Sequence, residues 1–465
     1  MTKDTAARPQ GVADIADIAE AEAFLAAHPE ITAFDLVLID ANGIARGKII
    51  RRHELLPIFR SGRHLPGSIL GLDVSGEDVE ETGLVWSDGD ADRRAWPIAG
   101  SLVPLPWTNP PRGEVRLSLF ELDGSPMAAD PRQVLSRRDT LLKAQGFHPV
   151  LAYELEFYLL DRERDAAGNF QPLRLPLSGE RPEGIQVYGV NELDRLEPFI
   201  DAVYRAAEAQ GLPVETMISE YAQGQFELTL RHGSALRAAD DLVMLKRLLR
   251  ALALRHGMMA CFMAKPFPGR AGSGMHVHAS LADAAGGNLF ADRAGELSPL
   301  MTQAVAGLLQ TMDESMLVFA PHLNSWRRFS AQSYAPTTPT WGTNNRSVAV
   351  RIPAGTGAGR HLEQRAAGID ANPYLVGATV LAAMQRGIAA KADPGPQTTA
   401  YAEGAGDSLP PDWRSAIDKA AASSFLKEAL GERMHHVFLA LKRAEYRRFA
   451  AEITPLERSL YGEIV

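Results

Sequence analysis

Between residues 153 and 157 apolar and acidic side chains alternate, with Tyr153, Leu155 and Phe157 on one parity and Glu154 and Glu156 on the other. A period of two belongs to a β-strand, so the apolar set faces a core and the two carboxylates share the opposite face. The wider run PVLAYELEFYLL (149–160) reads as one strand, and GQFELTLRH (224–232), ACFMAKPF (260–267) and SVAVRIPA (347–354) read the same way. Between them, apolar positions recur at helical spacing near 131–145, 194–210, 237–256 and 297–315. Upstream, residues 17–28 predict a short amphipathic helix. A strand, a turn at Ala41-Asn42-Gly43 and a second strand follow as a hairpin. The proline-rich stretch SLVPLPWTNPPRGEV (101–115) predicts a linker. This divides the chain into a small β-rich domain, 1–112, and a larger domain, 113–465, of the α+β class. The polar segment 161–190 predicts an excursion near the mouth of a site, and 412–462, dense in Ala, Leu, Lys and Glu, predicts terminal helices.

Composition narrows the function classes. A chain of 465 residues exceeds one hydrophobic core, and 46% apolar with 23% charged residues is ordinary for a globular enzyme. A net charge of −9, spread along the chain, argues against nucleic-acid binding and fits small-molecule substrates. The single cysteine, Cys261, leaves no intrachain disulfide and points to a reducing compartment. No apolar run approaches the ~20 residues that span a bilayer. The opening MTKDTAARPQ lacks the apolar segment of a signal peptide, so a cytoplasmic location without a membrane partner is expected.

Two carboxylates pointing the same way repel unless a cation lies between them. SEYAQGQFELTL adds Glu220 and Glu227, and HLEQR adds Glu363 beside Arg365. In AGSGMHVHASL (271–281), His276 and His278 share a strand face behind Gly272 and Gly274, which clear the approach of a backbone or ligand. Taken singly, such pairs are also what a half-buried strand face carries. Arg327, Arg328, Arg346, Arg351, Arg360 and Arg365 cluster nearby, partly within NNRSVAVRIPA, whose alternate positions are apolar; a plain solvated surface does not explain that. Oxygen ligands with imidazole favour Mg²⁺ or Mn²⁺ over zinc, and arginine forks suit carboxylates and phosphates. No P-loop is present: GIARGKII (43–50) lacks its spacing and its Ser/Thr, and GTGAGR (355–360) matches a dinucleotide loop only superficially.

Five ordered motifs, YELEF, SEYAQGQFEL, GSGMHVHAS, NSWRRF and NNRSVAVRIP…HLEQR…DANPYL, resemble glutamine synthetase of the bacterial type I kind across about 30–455. The resemblance is closest to its γ-glutamylpolyamine (γ-glutamylputrescine) synthetase branch. It implies a β-grasp-like N-terminal domain, then a catalytic domain with a curved antiparallel sheet and flanking helices. It implies an ATP-dependent ligase that phosphorylates the γ-carboxylate of glutamate and passes the γ-glutamyl group to an amine, with Mg²⁺ or Mn²⁺. By the same resemblance Glu156, Glu220 and Glu227 hold one metal, and Glu154, His276 and Glu363 the other. Glu215, His278, Ser280 and Arg360 fall toward the nucleotide, and Gly272, Arg328 and Arg365 toward glutamate. Arg346 and Arg351 fall near the phosphates and the transferred phosphoryl group. Asp73, in GLDVSG, matches an acid that reaches a neighbouring subunit's ammonium site, a plain turn aspartate being the alternative. The family assembles as two stacked hexameric rings, so a homo-oligomer is expected.

The departures bear on the amine. Ammonia-using members carry a loop glutamate where this chain has Tyr334, a bulkier neutral side chain that suits an alkyl or aryl amine. Ala271 replaces an asparagine that contacts glutamate in glutamine synthetases. His361 replaces a phosphate-contacting arginine, which Arg360 substitutes from the next position. Asp407 replaces the modifiable tyrosine of the adenylylation loop, with Tyr401 out of register. Putrescine or another polyamine is the expected acceptor. Another amine (aromatic, ethanolamine or alkyl), ammonia, and a non-catalytic scaffold are the alternatives.

Overall fold

The computed structural model describes residue 9 and residues 14–87, 89–291, 296–330, 333–402, 404 and 408–465. Six strands near the N-terminus, β1 (Ala33–Ile39), β2 (Ala45–Arg51), β3 (Arg63–Pro66), β4 (Asp92–Pro97), β5 (Val103–Leu105) and β6 (Arg112–Phe120), form one sheet. Its order is β2-β1-β6-β4-β3, with β5 on β6. The pair β1–β6 is parallel and the others are antiparallel. The hairpin β1–β2 turns at Gly43, whose φ of 76° suits a residue without a side chain. Helices α1 (Ile18–Ala27) and α2 (Leu55–Ser61) pack on this sheet, which buries Phe34, Phe59 and Trp96.

The proline-rich stretch 101–115 is not a linker. It holds β5 and the first residues of β6, and β5 pairs with β6 alone, an edge position that tolerates Pro104. A division at residue 112 separates β6 from the sheet it pairs with, whose strands run to Phe120.

A second sheet of nine strands carries the chemistry. It comprises β7 (His148–Asp161), β8 (Val214–Ser219), β9 (Gln225–Leu230), β10 (Gly233–Ser234), β11 (Met258–Cys261), β12 (Met275–Ala282), β13 (Trp341–Thr343), β14 (Val350–Ile352) and β15 (Leu362–Gln364). The order is β13-β14-β15-β12-β7-β9-β8, with β10 and β11 also on β7. Only β13–β14 is parallel among the described pairs. The run 260–267 is a strand only up to Cys261.

Along β7, Tyr153, Leu155 and Phe157 are buried, while Glu154 and Glu156 are half-buried on the other face. Helices α3 (Pro131–Lys143), α6 (Ala235–Arg255) and α7 (Pro299–Phe319) contact strands of this sheet, while α5 (Glu197–Ala209) packs on α6 and α9 (Pro373–Ala390) on α3, α6 and α7. The short α4 (Val190–Asp194) touches β8, and α8 (Leu323–Trp326) is a single turn. Helices α7 and α9 cross at Gly307 and Gly387; a Cβ on Gly307 would lie 2.0 Å from the Ala383 carbonyl oxygen. The C-terminal part is α10 (Trp413–Ala422), α11 (Ser424–Leu430), α12 (Glu432–Ala451) and α13 (Pro455–Tyr461). No helix among the described residues is long and apolar enough to cross a membrane.

Candidate active site

Strand register brings distant motifs together. On the open face of the second sheet Glu154 of β7 stands opposite His276 of β12, and Glu156 opposite Glu227 of β9. Farther along, Glu363 of β15 stands opposite both His278 of β12 and Arg351 of β14. Glu220 follows directly after β8. Facing residues on paired strands place their Cβ atoms about 5 Å apart, so one region of the sheet collects residues from five strands.

The groups are in contact. His276 Nδ1 lies 3.1 Å from Glu154 Oε2 and 3.5 Å from Glu363 Oε1, and its Nε2 lies 3.8 Å from Glu156 Oε1. His278 Nε2 is 3.0 Å from Glu154 Oε1. Two triads have ligand atoms mutually within 4.8 Å: Glu154, Glu227 and His276, and Glu154, His278 and Glu363. Glu154 belongs to both, and His278, expected toward the nucleotide, stands among the acids.

Burial together with four neighbouring glutamates pushes Glu227 up to about 9, and burial plus the charge of Glu156 raises Glu220. Glu154 is held far below the carboxylate range: burial opposes ionisation, but hydrogen bonds from both histidines outweigh it. His278 is raised because the same Glu154 contact outweighs its burial. A set that must keep a proton to be tolerated is one that a cation would relieve. Its oxygen and imidazole donors fit Mg²⁺ or Mn²⁺.

The arginines border this set. Glu363 accepts from Arg351 Nη1 at 3.0 Å and from Arg365 Nη1. Among the described residues the buried Nε–H groups of Arg351 and Arg365 find no acceptor, and a bound anion can take them. Arg328 is buried and donates to the carbonyls of Ala366 and Arg365 at 2.8 and 3.1 Å. The glycines of the histidine motif now have a reason. A Cβ on Gly272 would lie 2.7 Å from Arg328 Cγ, and one on Gly274 would lie 2.8 Å from Arg328 Nη2 and 3.0 Å from His276 Nε2. The Gly274 N–H donates to Glu156 Oε2 at 2.7 Å, and Gln225 steadies the lead through the Gly272 carbonyl at 2.9 Å.

Other expected residues stand apart. Ser280 lies on β12, and Arg360 is buried, its carbonyl accepting from Asn288 at 2.7 Å. Glu215 is exposed on β8 and contacts none of the cluster; its carbonyl accepts from Tyr204. Tyr334 is 63% exposed in the loop after α8. Asp73 does not reach this chain's cluster. Its Oδ1 accepts from Ser75 and from the Glu77 N–H, and Oδ2 lies 3.4 Å from Arg448, so within the chain it is a turn-capping aspartate. Asp407 lies outside the described residues.

Sequence reasoning missed Tyr188. It sits at φ 58° in the excursion 161–190, and its hydroxyl accepts from Arg346 Nη1 at 3.4 Å. Its only signal was an aromatic residue beside a glycine in a polar stretch. His361 was seen as a departure, but its ring contact with His278, centroids 5.0 Å apart, was not foreseen.

An α+β fold whose curved sheet gathers acids, imidazoles and guanidinium groups on one face defines a ligase of the type that activates a carboxylate with ATP. Residues 128–461 match the family described as glutamine synthetase, catalytic domain, and the chain belongs to the glutamine synthetase family. It is 39% identical over 444 residues to γ-glutamylputrescine synthetase PuuA of Escherichia coli (strain K12), covering 94% of this chain and 93% of that one. Identity to γ-glutamylethanolamide synthetase GlnA4 of Streptomyces coelicolor is 31% over 438 residues, covering 93% of each. A solved structure titled GmaS/ADP complex superposes with a TM-score of 0.80 at 29% identity, covering 94% of this chain and 98% of that one. The protein is an ATP-dependent glutamate–amine ligase.

Proposed function

We propose that this enzyme joins the γ-carboxylate of L-glutamate to a primary amine, putrescine or another polyamine, through γ-glutamyl phosphate. The observation that carries the reading is the convergence of Glu154, Glu156, Glu227, Glu363 and His276 in one cluster on the sheet, with Glu227 pushed up to about 9. A carboxylate does not react with an amine, so it must first accept the γ-phosphoryl group of ATP. That step brings anionic groups together.

Glu156, Glu220 and Glu227 would hold one divalent cation and Glu154, His276 and Glu363 another, and these ions would supply charge that offsets the repulsion. The chain's own cations do the rest. Arg351 and Arg346 meet the transferred phosphoryl group, while Arg328, Arg365 and the Gly272 backbone hold glutamate. His278, Ser280, Arg360 and Glu215 face the nucleotide. The amine must be neutral to attack, and Tyr334 borders its path in place of the loop glutamate of ammonia-using members. Identity to the putrescine enzyme over nearly the whole chain favours a polyamine.

The test is phosphate release with ATP, glutamate, Mg²⁺ and a panel of amines. Putrescine or a longer polyamine is expected to give the highest kcat/KM; ammonium outperforming every organic amine sinks the reading.

We also propose that the enzyme is a homo-oligomer whose neighbours complete the amine site, in which Asp73 serves an adjacent subunit. Helix α13 supports this: none of its residues is buried against its own chain. Ile453, Leu456, Leu460 and Tyr461 are each more than half exposed, a surface suited to a partner copy. Deleting residues 452–465 is expected to lower the mass of the assembly in light scattering; an unchanged mass removes α13 from the interface.

A further inference from the structure

Segment 398–402, which follows α9, touches both sides of the site. On the phosphate side it is pinned to the turn that carries Arg346. Asn345 Nδ2 donates to the carbonyls of Thr398 and Ala400 at 2.9 and 2.8 Å, and the Ala402 N–H donates to Ser347 Oγ at 3.0 Å. Thr398 is tied further by its N–H to the Trp341 carbonyl at 2.8 Å. On the amine side the Tyr401 hydroxyl donates to the Ser333 carbonyl at 3.0 Å, and Thr338 Oγ1 donates to the Ala402 carbonyl at 3.3 Å. Ser333 immediately precedes Tyr334, and its hydroxyl donates to the Ser330 carbonyl at 2.8 Å. Tyr334 itself is exposed, so its position is set by the backbone on which it stands.

We propose that Tyr401 is a positioning residue for amine selection: its hydroxyl fixes the Ser333–Tyr334 backbone relative to the Arg346 turn. This rests on the reading that Tyr334 borders the amine path. A side chain half exposed to solvent adds little to the core, so the bond from the Tyr401 hydroxyl to the Ser333 carbonyl acts on where that loop stands. The bridge also gives the two halves of the reaction a common frame. The arginine that meets the phosphoryl group and the side chain that borders the nucleophile hang from the same five residues.

The test uses the full-length enzyme with ATP, glutamate, Mg²⁺ and either putrescine or ammonium, with Tyr401→Phe and Tyr334→Ala assayed side by side. Loss of the bond to the Ser333 carbonyl in Tyr401→Phe is expected to raise KM for putrescine about three- to tenfold. The kcat, the KM for ATP and the thermal midpoint should stay at the wild-type values. A general structural role would instead move the midpoint or all three constants together, and that result overturns the proposal. If Tyr334→Ala changes the KM for putrescine while Tyr401→Phe does not, the positioning role fails and the reading of Tyr334 stands. If neither variant changes it, both fail.

Discussion

Glu156→Ala is expected to lower phosphate release with every amine by at least about a thousandfold, the scale set by removing charge stabilisation from a transition state. The fall should lie in kcat rather than in the KM for amine, because Glu156 sits where charge is gathered and not on the amine side. Its Oε2 takes the Gly274 N–H at 2.7 Å, its Oε1 lies 3.8 Å from His276 Nε2, and its backbone faces Glu227 across the strand pair. Structurally the change is mild. It removes one of the like charges that burden Glu227, so the ligand-free variant should melt no lower than wild type. Glu156→Gln keeps the shape and removes the charge, and it should be as inactive as the alanine variant. Either variant turning over near the wild-type rate would mean that the metal assignment is wrong.

That prediction was open to the sequence because an alternating strand announces itself: period two puts Glu154 and Glu156 on one face whatever they later meet. What the sequence did not give was register. Glu227 opposite Glu156 and Glu363 opposite His278 are facts of strand pairing across long intervals of chain. The resemblance assigned these residues to one site, but neither it nor the pattern supplied the pairing. Helix α9 was missed for a related reason. It is buried nearly all round, so it has no polar face to mark a helical period. The proline-rich stretch misled in the other direction, since local composition signals an interruption and only the partner strand shows that β5 is an edge. Asp73 shows a further limit. Its turn is visible in GLDVSG, but what one chain does with the aspartate and what a neighbouring copy meets are separate questions.

Two glutamates of the same site should respond oppositely to loss of charge. Glu363→Gln is expected to destabilise the ligand-free protein by about 3–5 kcal/mol, the cost of stripping the partner from buried cations. Its side chain is 1% exposed and accepts from both Arg351 and Arg365. Burial and the Glu154 charge oppose its ionisation, yet the charges of Arg365 and the two histidines hold it below the usual carboxylate range. A depressed carboxylate contributes its stability above its unfolded pKa and loses it as pH falls through the folded one. The gap between wild type and Glu363→Gln should therefore be full at pH 7 and close in acid. Glu227 has the reverse sign. With a folded pKa raised to about 9, it is largely protonated at pH 7 without a cation. Glutamine copies that state, so Glu227→Gln should cost the ligand-free protein little. It should also remove the gain in thermal midpoint on adding Mg²⁺, a gain that in wild type grows toward pH 8 as cation displaces proton. Urea unfolding with and without chelator reads both variants. Equal losses at the two positions, or a loss below about 1 kcal/mol for Glu363→Gln, would show that the charges of this site are not arranged as described.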